Sequence, residues 1–399
     1  NSMHRLCCCG DEITLTKTVY KRDRIFWLVA LQTGVFSIFM GGFGPALPLL
    51  QAAQGTSAAV AGLHGTALGL ASIIAGYIAA PLAHRFGRYK SIWIGLAIFN
   101  IGALSFIIFP SPWQTIPSIL IAGIGITTII NNAFLYIANH YGENAPRATA
   151  QANGISSTFF LIGNFLIGMI ASTTFNWRLG LLVALPFTFL LYFFMGRHHS
   201  PEHIPDDQGK QSGSLPPRYW IGWIGLLFTI SAEFSISFWS AALLRERTGL
   251  TAALSTTLVL AFPLGMAIGR LSGTSFAPRI GIDRRLQIVL FMQVFGFVLF
   301  WFSGNPIFSF LALLIAGLGT SIQFPLTTLR LLNFGKEKPD LAMGKSGFAA
   351  GIAIGGAPLL LGFLADQFGI VQAFLIVPIA ITLAFSIVTL VPIREEAAL

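Results

Sequence analysis

Twelve continuous apolar stretches take up most of this chain: residues 25–50, 58–80, 91–110, 117–139, 154–174, 178–196, 219–243, 253–277, 286–304, 306–332, 341–364 and 371–392. A helix of about twenty residues, rising 1.5 Å at each, crosses the roughly 30 Å hydrocarbon core of a bilayer. Inside lipid every backbone N–H and C=O needs an internal partner, which leaves helices or closed barrels. Barrel strands alternate apolar and polar residues over roughly ten positions, and these stretches do not alternate. The expected fold is an all-α membrane protein of twelve transmembrane helices. Charge excludes a soluble enzyme, because only 10% of the 399 residues are charged, against about 25% in ordinary soluble domains.

The formal net charge of +9 could suggest nucleic acid, but no basic stripe with interleaved aromatics occurs. Its distribution is a topology signal instead. An even number of spans puts both termini on one side, and the tails and loops of that side hold 18 of the 24 lysines and arginines. The opposite loops hold three, Arg178, Arg245 and Arg247. Positively charged short loops stay in the cytoplasm, so both termini are expected there, with a bacterial inner membrane as the expected setting.

The chain divides into a tail over 1–24, a six-helix bundle over 25–196, a linker over 197–218, a second bundle over 219–392 and a tail over 393–399. The linker carries His198, His199, His203, Asp206 and Asp207 before Pro216-Pro217, a composition that suits a solvated connector better than a metal site. Cys7, Cys8 and Cys9 are consecutive and give neither a disulfide framework nor paired zinc ligands. No metal or cofactor is expected, and a monomer is.

The two halves align at a nearly constant offset. A shift of 194 places Ala122, Gly123 and Gly125 on Ala316, Gly317 and Gly319, and Arg85 and Gly87 on Arg279 and Gly281. A shift of 193 places Gly142, Pro146, Gly154, Gly163 and Phe175 on Gly335, Pro339, Gly347, Gly356 and Phe368. Parallel repeats of this kind, with a cleft between them, are a device of secondary transporters.

The loop after the second span reads Ala80-Pro81-Leu82-Ala83-His84-Arg85-Phe86-Gly87-Arg88-Tyr89-Lys90. It resembles the G-x-L-A-D-R-x-G-R-K hallmark of the major facilitator superfamily, with His84 at the acidic position and Ala80 at the first glycine. Phe276-Ala277-Pro278-Arg279-Ile280-Gly281 keeps the Arg and Gly skeleton, and Gly362-Phe363-Leu364-Ala365-Asp366-Gln367-Phe368-Gly369 is a further similar stretch. The resemblance covers residues 25–392. It implies two six-helix bundles in pseudo-symmetric array, alternating access, and a gating role for His84, Arg85, Gly87 and Arg88. It also implies a central cavity lined by the first, fourth, seventh and tenth spans.

Polar residues at helical spacing point the same way. The fourth span has Thr128, Asn132, Tyr136 and Asn139 on one face; the seventh has Thr229, Glu233, Ser237 and Ser240; the tenth has Thr320, Gln323, Thr327 and Arg330; the first has Thr33, Ser37, Gly41 and Gly44. An ionisable residue near a helix centre costs about 2.5–3.5 kcal/mol to insert and so marks function. Glu233 is the deepest carboxylate, and Arg270, Arg330 and Lys345 lie within or at the ends of spans in the second half. Three cations against one carboxylate make the inner cleft attractive to an anion, and an arginine fork suits a carboxylate.

The expected substrate residues are therefore Arg270, Arg330, Lys345, Glu233, Ser237, Asn132, Tyr136, Gln323, Thr327, Thr33 and Ser37. Glu233 is also the candidate for proton coupling. The expected activity is passage of a small organic, carboxylate-bearing solute, with protons as a second partner and lipid as the surroundings. Proton-linked export is the alternative, although the fifth span reads Gly163-Asn164-Phe165-Leu166-Ile167-Gly168 and lacks the proline of the exporters' G-x-x-x-G-P-x-x-G-G pattern. No G-x-S-x-G, H-E-x-x-H or P-loop motif favours an enzyme, and a membrane receptor or membrane enzyme is the remote alternative.

Overall fold

The computed structural model describes residues 21–196, 213–273 and 280–393, and its elements are all helical. The first half contains α1 (Arg24–Gln54), α2 (Ala58–Phe86), α3 (Arg88–Ile108), α4 (Pro112–Tyr141), α5 (Ala145–Ala171), α6 (Leu179–Leu182) and α7 (Ala184–Met195). The second contains α8 (Pro217–Thr248), α9 (Ala252–Leu258), α10 (Ala261–Gly273), α11 (Ile282–Phe302), α12 (Pro306–Thr320), α13 (Gln323–Phe334), α14 (Pro339–Phe368), α15 (Ile370–Ala373) and α16 (Ile376–Leu390). Among the described residues eleven segments are long and apolar enough to cross a membrane, and Leu179–Met195 is a shorter apolar twelfth. Large apolar side chains such as Phe189, Phe193 and Phe302 face outward, as a lipid-facing surface requires. Most of the central linker, the three cysteines and the extreme tails lie outside the described residues.

Four spans are broken, and the sequence explains where. The breaks at Val183, Val259-Leu260, Ser321-Ile322 and Phe374-Leu375 each precede a proline by three or four residues: Pro186, Pro263, Pro325 and Pro378. Proline has no N–H for the carbonyl four residues back and its ring crowds that carbonyl. At two breaks a tightened turn recovers the freed group, with Phe262 N donating to Val259 O and Val377 N to Phe374 O. At Ser321 an arginine from another helix takes it instead.

Glycines set the closest crossings, and the two halves repeat them. A Cβ on Gly102 would stand 2.3 Å from Ala122 N, and one on Gly296, 194 residues later, 2.4 Å from Ala316 N. The same holds for Gly125 against Phe99 N and Gly319 against Gln293 N, both 2.4 Å. These pairs cross α3 on α4 and α11 on α12 at backbone distance, the use membrane helices make of small residues.

The repeat extends to a staple on the face that carries the chain termini. Tyr89 and Tyr136 have ring centroids 6.3 Å apart, and the Tyr89 hydroxyl donates to Gly196 O at the end of α7. Their mates at an offset of 194 are Asp283 and Arg330, joined at 2.9 Å, with Ile393 N donating to the second Asp283 oxygen and Arg330 donating to Val388 O in the last turn of α16 and to Val391 O just past it. One half thus uses aromatic contact where the other uses an ion pair. Removing one partner of a buried pair strands the other, at a cost of about 3–5 kcal/mol. Asp283→Ala should therefore lower the melting temperature of the purified protein, whereas Arg284→Ala, an exposed neighbour, should not; equal melting of the two variants would show that the staple adds no stability.

The bundles meet along three seams. In the first, Phe43 of α1 stacks edge-on against Phe238 of α8, with ring centroids 5.6 Å apart. In the second, a Cβ on Gly168 of α5 would meet Thr257 Oγ1 of α9 at 2.2 Å. In the third, α2 lies on α14 through glycines: Cβ atoms on Gly62, Gly69 and Gly362 would meet Leu359 Cα at 2.8 Å, Gly351 O at 2.3 Å and Ala58 O at 2.5 Å. Further along the same helices, toward the terminal face, Gly76, Gly344 and Gly347 have no such neighbour within 4 Å. The α2–α14 seam is closed on the face away from the termini and parted toward the termini.

Candidate functional site

Glu233 is the seventeenth of the 32 residues of α8, half-buried, and makes no hydrogen bond or ion pair among the described residues. An ionisable residue at mid-helix that is only half-buried suits the wall of a cleft better than a packed core. One turn further along, Ser237 is also half-buried, and its carbonyl lies 2.8 Å from where a Gly44 Cβ would stand. Glu233 and Ser237 thus lie on the helix that meets α1 of the other bundle.

Arg270 of α10 is exposed. Its Nε donates to Ser321 O, the carbonyl freed by Pro325, and its Nη1 donates to Ser157 Oγ of α5, both at 3.4 Å. Hydrogen bonds of that length are weak. The guanidinium therefore sits between the bundles, loosely held, beside the broken α12–α13 helix and with most of its donors available to a solute.

Other expected residues lie elsewhere. Thr33 Oγ1 shares a 2.7 Å hydrogen bond with Ser156 Oγ of α5, which ties α1 to its own bundle, and Ser37 Oγ donates back to Thr33 O within α1. Lys345 is half-buried, with Nζ 5.4 Å from the Phe348 ring. Asn132 and Tyr136 are 1% and 4% exposed, and Gln323 and Thr327 are 1% and 2% exposed. Asn132 bonds back to Thr128 O, and Gln323 donates to Gln293 Oε1 of α11 at 2.8 Å. Arg330, 1% exposed, is committed to Asp283. In this conformation these five are interior residues of their bundles. Periodicity finds the polar face of a helix, and here that face looks into its own bundle.

Ser157, Ser156 and Ser321 were not expected. Their signals were present: an adjacent serine pair in an otherwise apolar span, and a serine four residues before a membrane proline.

The loop between the second and third spans reduces to one residue. Gly87 alone links α2 to α3, at φ 81° and ψ 155°, with its N–H on Ala83 O at 2.8 Å. A positive φ of that size explains the glycine. His84 and Arg85 are exposed at the end of α2, with Arg85 over the Phe86 ring, and Arg88 is buried at the start of α3. On the same face Asp23 caps α1 through Phe26 N and accepts from Tyr141 and His140 at the end of α4. Partial burial pushes the Asp23 carboxyl up, but these donors outweigh it and hold it below its ordinary value.

A sequence profile of the Major Facilitator Superfamily matches residues 29–344. The chain belongs to that superfamily. It is 26% identical over 165 residues to the 2-nitroimidazole transporter of Escherichia coli (strain K12), a match that spans 41% of each chain. Its fold is similar to that of a bacterial homologue of the human lysosomal transporter Spinster in an inward-facing and occupied conformation, with TM-score 0.74, 14% identity, and coverage of 93% of this chain and 97% of the other. It is also similar to a D-xylose-proton symporter, with TM-score 0.75, 15% identity, and coverage of 94% and 99%.

Proposed function

We propose that this protein carries a small organic solute across a membrane by alternating access, and that the solute bears a carboxylate read by Arg270. The observation that carries the reading is the pair of unsatisfied charges in the cleft: Glu233 without a partner among the described residues, and Arg270 held only by two 3.4 Å hydrogen bonds. A planar two-oxygen group meets the guanidinium fork in bidentate fashion. Glu233, lacking a fixed cation, is the group that takes up and releases a proton during the cycle. With the basic loops placed in the cytoplasm, both termini are cytoplasmic and the parted end of the α2–α14 seam faces inward.

The partial relative's name favours a second reading. A nitroimidazole is a neutral heterocycle whose nitro group also presents two coplanar oxygens, so the same fork suits it. Proteoliposomes loaded with buffer and given radiolabelled monocarboxylates, dicarboxylates, nitro-heterocycles and sugars separate the readings. Saturable carboxylate flux is the expected result; flux of nitro-heterocycles alone would establish the second reading, and no flux of either would overturn both.

A further inference from the structure

Leu82-Ala83-His84-Arg85-Phe86-Gly87 at the end of α2 has a twin in Leu364-Ala365-Asp366-Gln367-Phe368-Gly369 at the end of α14. The twins share a backbone as well as letters. Gly369 has φ 83° and ψ 157° against 81° and 155° at Gly87, and its N–H bonds Ala365 O at 2.9 Å as that of Gly87 bonds Ala83 O at 2.8 Å. They differ at the position the family pattern makes acidic. The α2 copy holds His84 there, on the terminal face; the α14 copy holds Asp366, on the opposite face.

Asp366 uses its carboxylate across the seam. Oδ1 accepts from Ala58 N at 2.8 Å and Oδ2 from Ala59 N at 2.7 Å. Those are the first two residues of α2, whose N-cap Ser57 serves Val60 N. The first N–H groups of a helix have no partner within it, and the aligned peptide dipoles leave partial positive charge there. One bundle therefore supplies the anion that completes the helix of the other. Below the clamp the seam is glycine against backbone, joined by Thr66 Oγ1 donating to Gly355 O at 2.8 Å. Among the described residues no second carboxylate does this at the related α5–α9 seam: at an offset of 193 the mate of Asp366 is Thr173, which bonds back to Ile170 O, and Thr251 caps α9 by itself.

We infer that Asp366 is a conformational latch: its two charge-assisted hydrogen bonds hold the α2–α14 seam shut on the face opposite the termini, and transport requires their release. Asp366 is exposed and lies at a helix end, so its substitution leaves both bundle interiors intact. It is a positioning residue, acting through the seam rather than on the solute. The inference rests on the alternating-access reading, but its test needs no solute.

In a chain with Cys7, Cys8 and Cys9 changed to serine, one cysteine is introduced by Ile73→Cys, at a side chain that packs on Gly351 at the inner limit of the closed seam. A membrane-impermeant maleimide is applied to intact cells from the face opposite the termini. A second chain carries Ser118→Cys, buried within the first bundle, as the control. Asp366→Ala removes both bonds and should raise labelling at position 73 at least about tenfold, the smallest effect expected of even one hydrogen bond to a charged group, and Asp366→Asn, with one acceptor oxygen left, by less. Labelling at position 118 should stay unchanged. Unchanged labelling at 73 would overturn the latch, as would an equal rise at 118, which would report general loosening. A protein that passes this test yet moves no solute in proteoliposomes would keep the latch and lose the transport reading.

Discussion

Arg270→Gln should lower kcat/KM for a carboxylate solute at least a hundredfold, about 2.8 kcal/mol at 1.4 kcal/mol per tenfold. The reason is the poverty of its present contacts. The guanidinium donates to Ser321 O and Ser157 Oγ at 3.4 Å and makes no ion pair among the described residues, so the fold loses little when the charge goes. A solute carboxylate in the cleft loses its counter-ion, and truncating one side of a desolvated charge pair costs about 2–5 kcal/mol. The loss should fall mainly on KM. Arg270→Lys should recover only part of it, since an ammonium keeps the charge but not the fork. Arg218→Gln, at an exposed position near the start of α8, serves as the control. Equal transport by the Arg270 and Arg218 variants would remove Arg270 from the solute site.

Glu233→Gln should abolish proton-driven accumulation while leaving solute exchange running. Glutamine keeps the size and hydrogen-bonding ends of the protonated acid but cannot ionise, so the carrier still binds and reorients with solute aboard. It no longer returns a proton across the membrane with each cycle, and accumulation against a gradient fails. Uptake into vesicles with an imposed pH gradient, compared with counterflow at equal pH, separates the two activities. Accumulation unchanged by the substitution would take Glu233 out of the coupling step.

Much of the architecture was legible in the chain because membrane helices have few ways to be built. The apolar runs gave the crossings, of which the sixth, Leu179–Met195, is the short one. The glycine register between halves was read as letters and returns as contacts, Gly102 on Ala122 and Gly296 on Ala316. The site was less legible. Glu233 and Arg270 stood out because an ionisable group at mid-membrane is costly, whatever surrounds it. Arg330 stood out for the same reason and lies in a staple instead, because its counter-ion Asp283 is 47 residues away in sequence, in the first turn of α11 beside Arg284 and Arg285. The buried Tyr136, its repeat mate, carries the lesson: one position can hold a ring or a charge and serve one purpose, and only the neighbour distinguishes them.

The character of the α2–α14 seam bears on how fast the protein can cycle. Where two interlocked side-chain surfaces separate and meet again, each rotamer must be found and frozen anew, at a cost of about 0.5–2 kcal/mol for long side chains. Glycine has no rotamers. A joint in which Gly62, Gly69 and Gly362 rest on opposing main chain can be parted and remade with almost no side-chain entropy at stake, so it behaves as a dry hinge face rather than a zipper, and turnover is left to the few polar groups that bridge it.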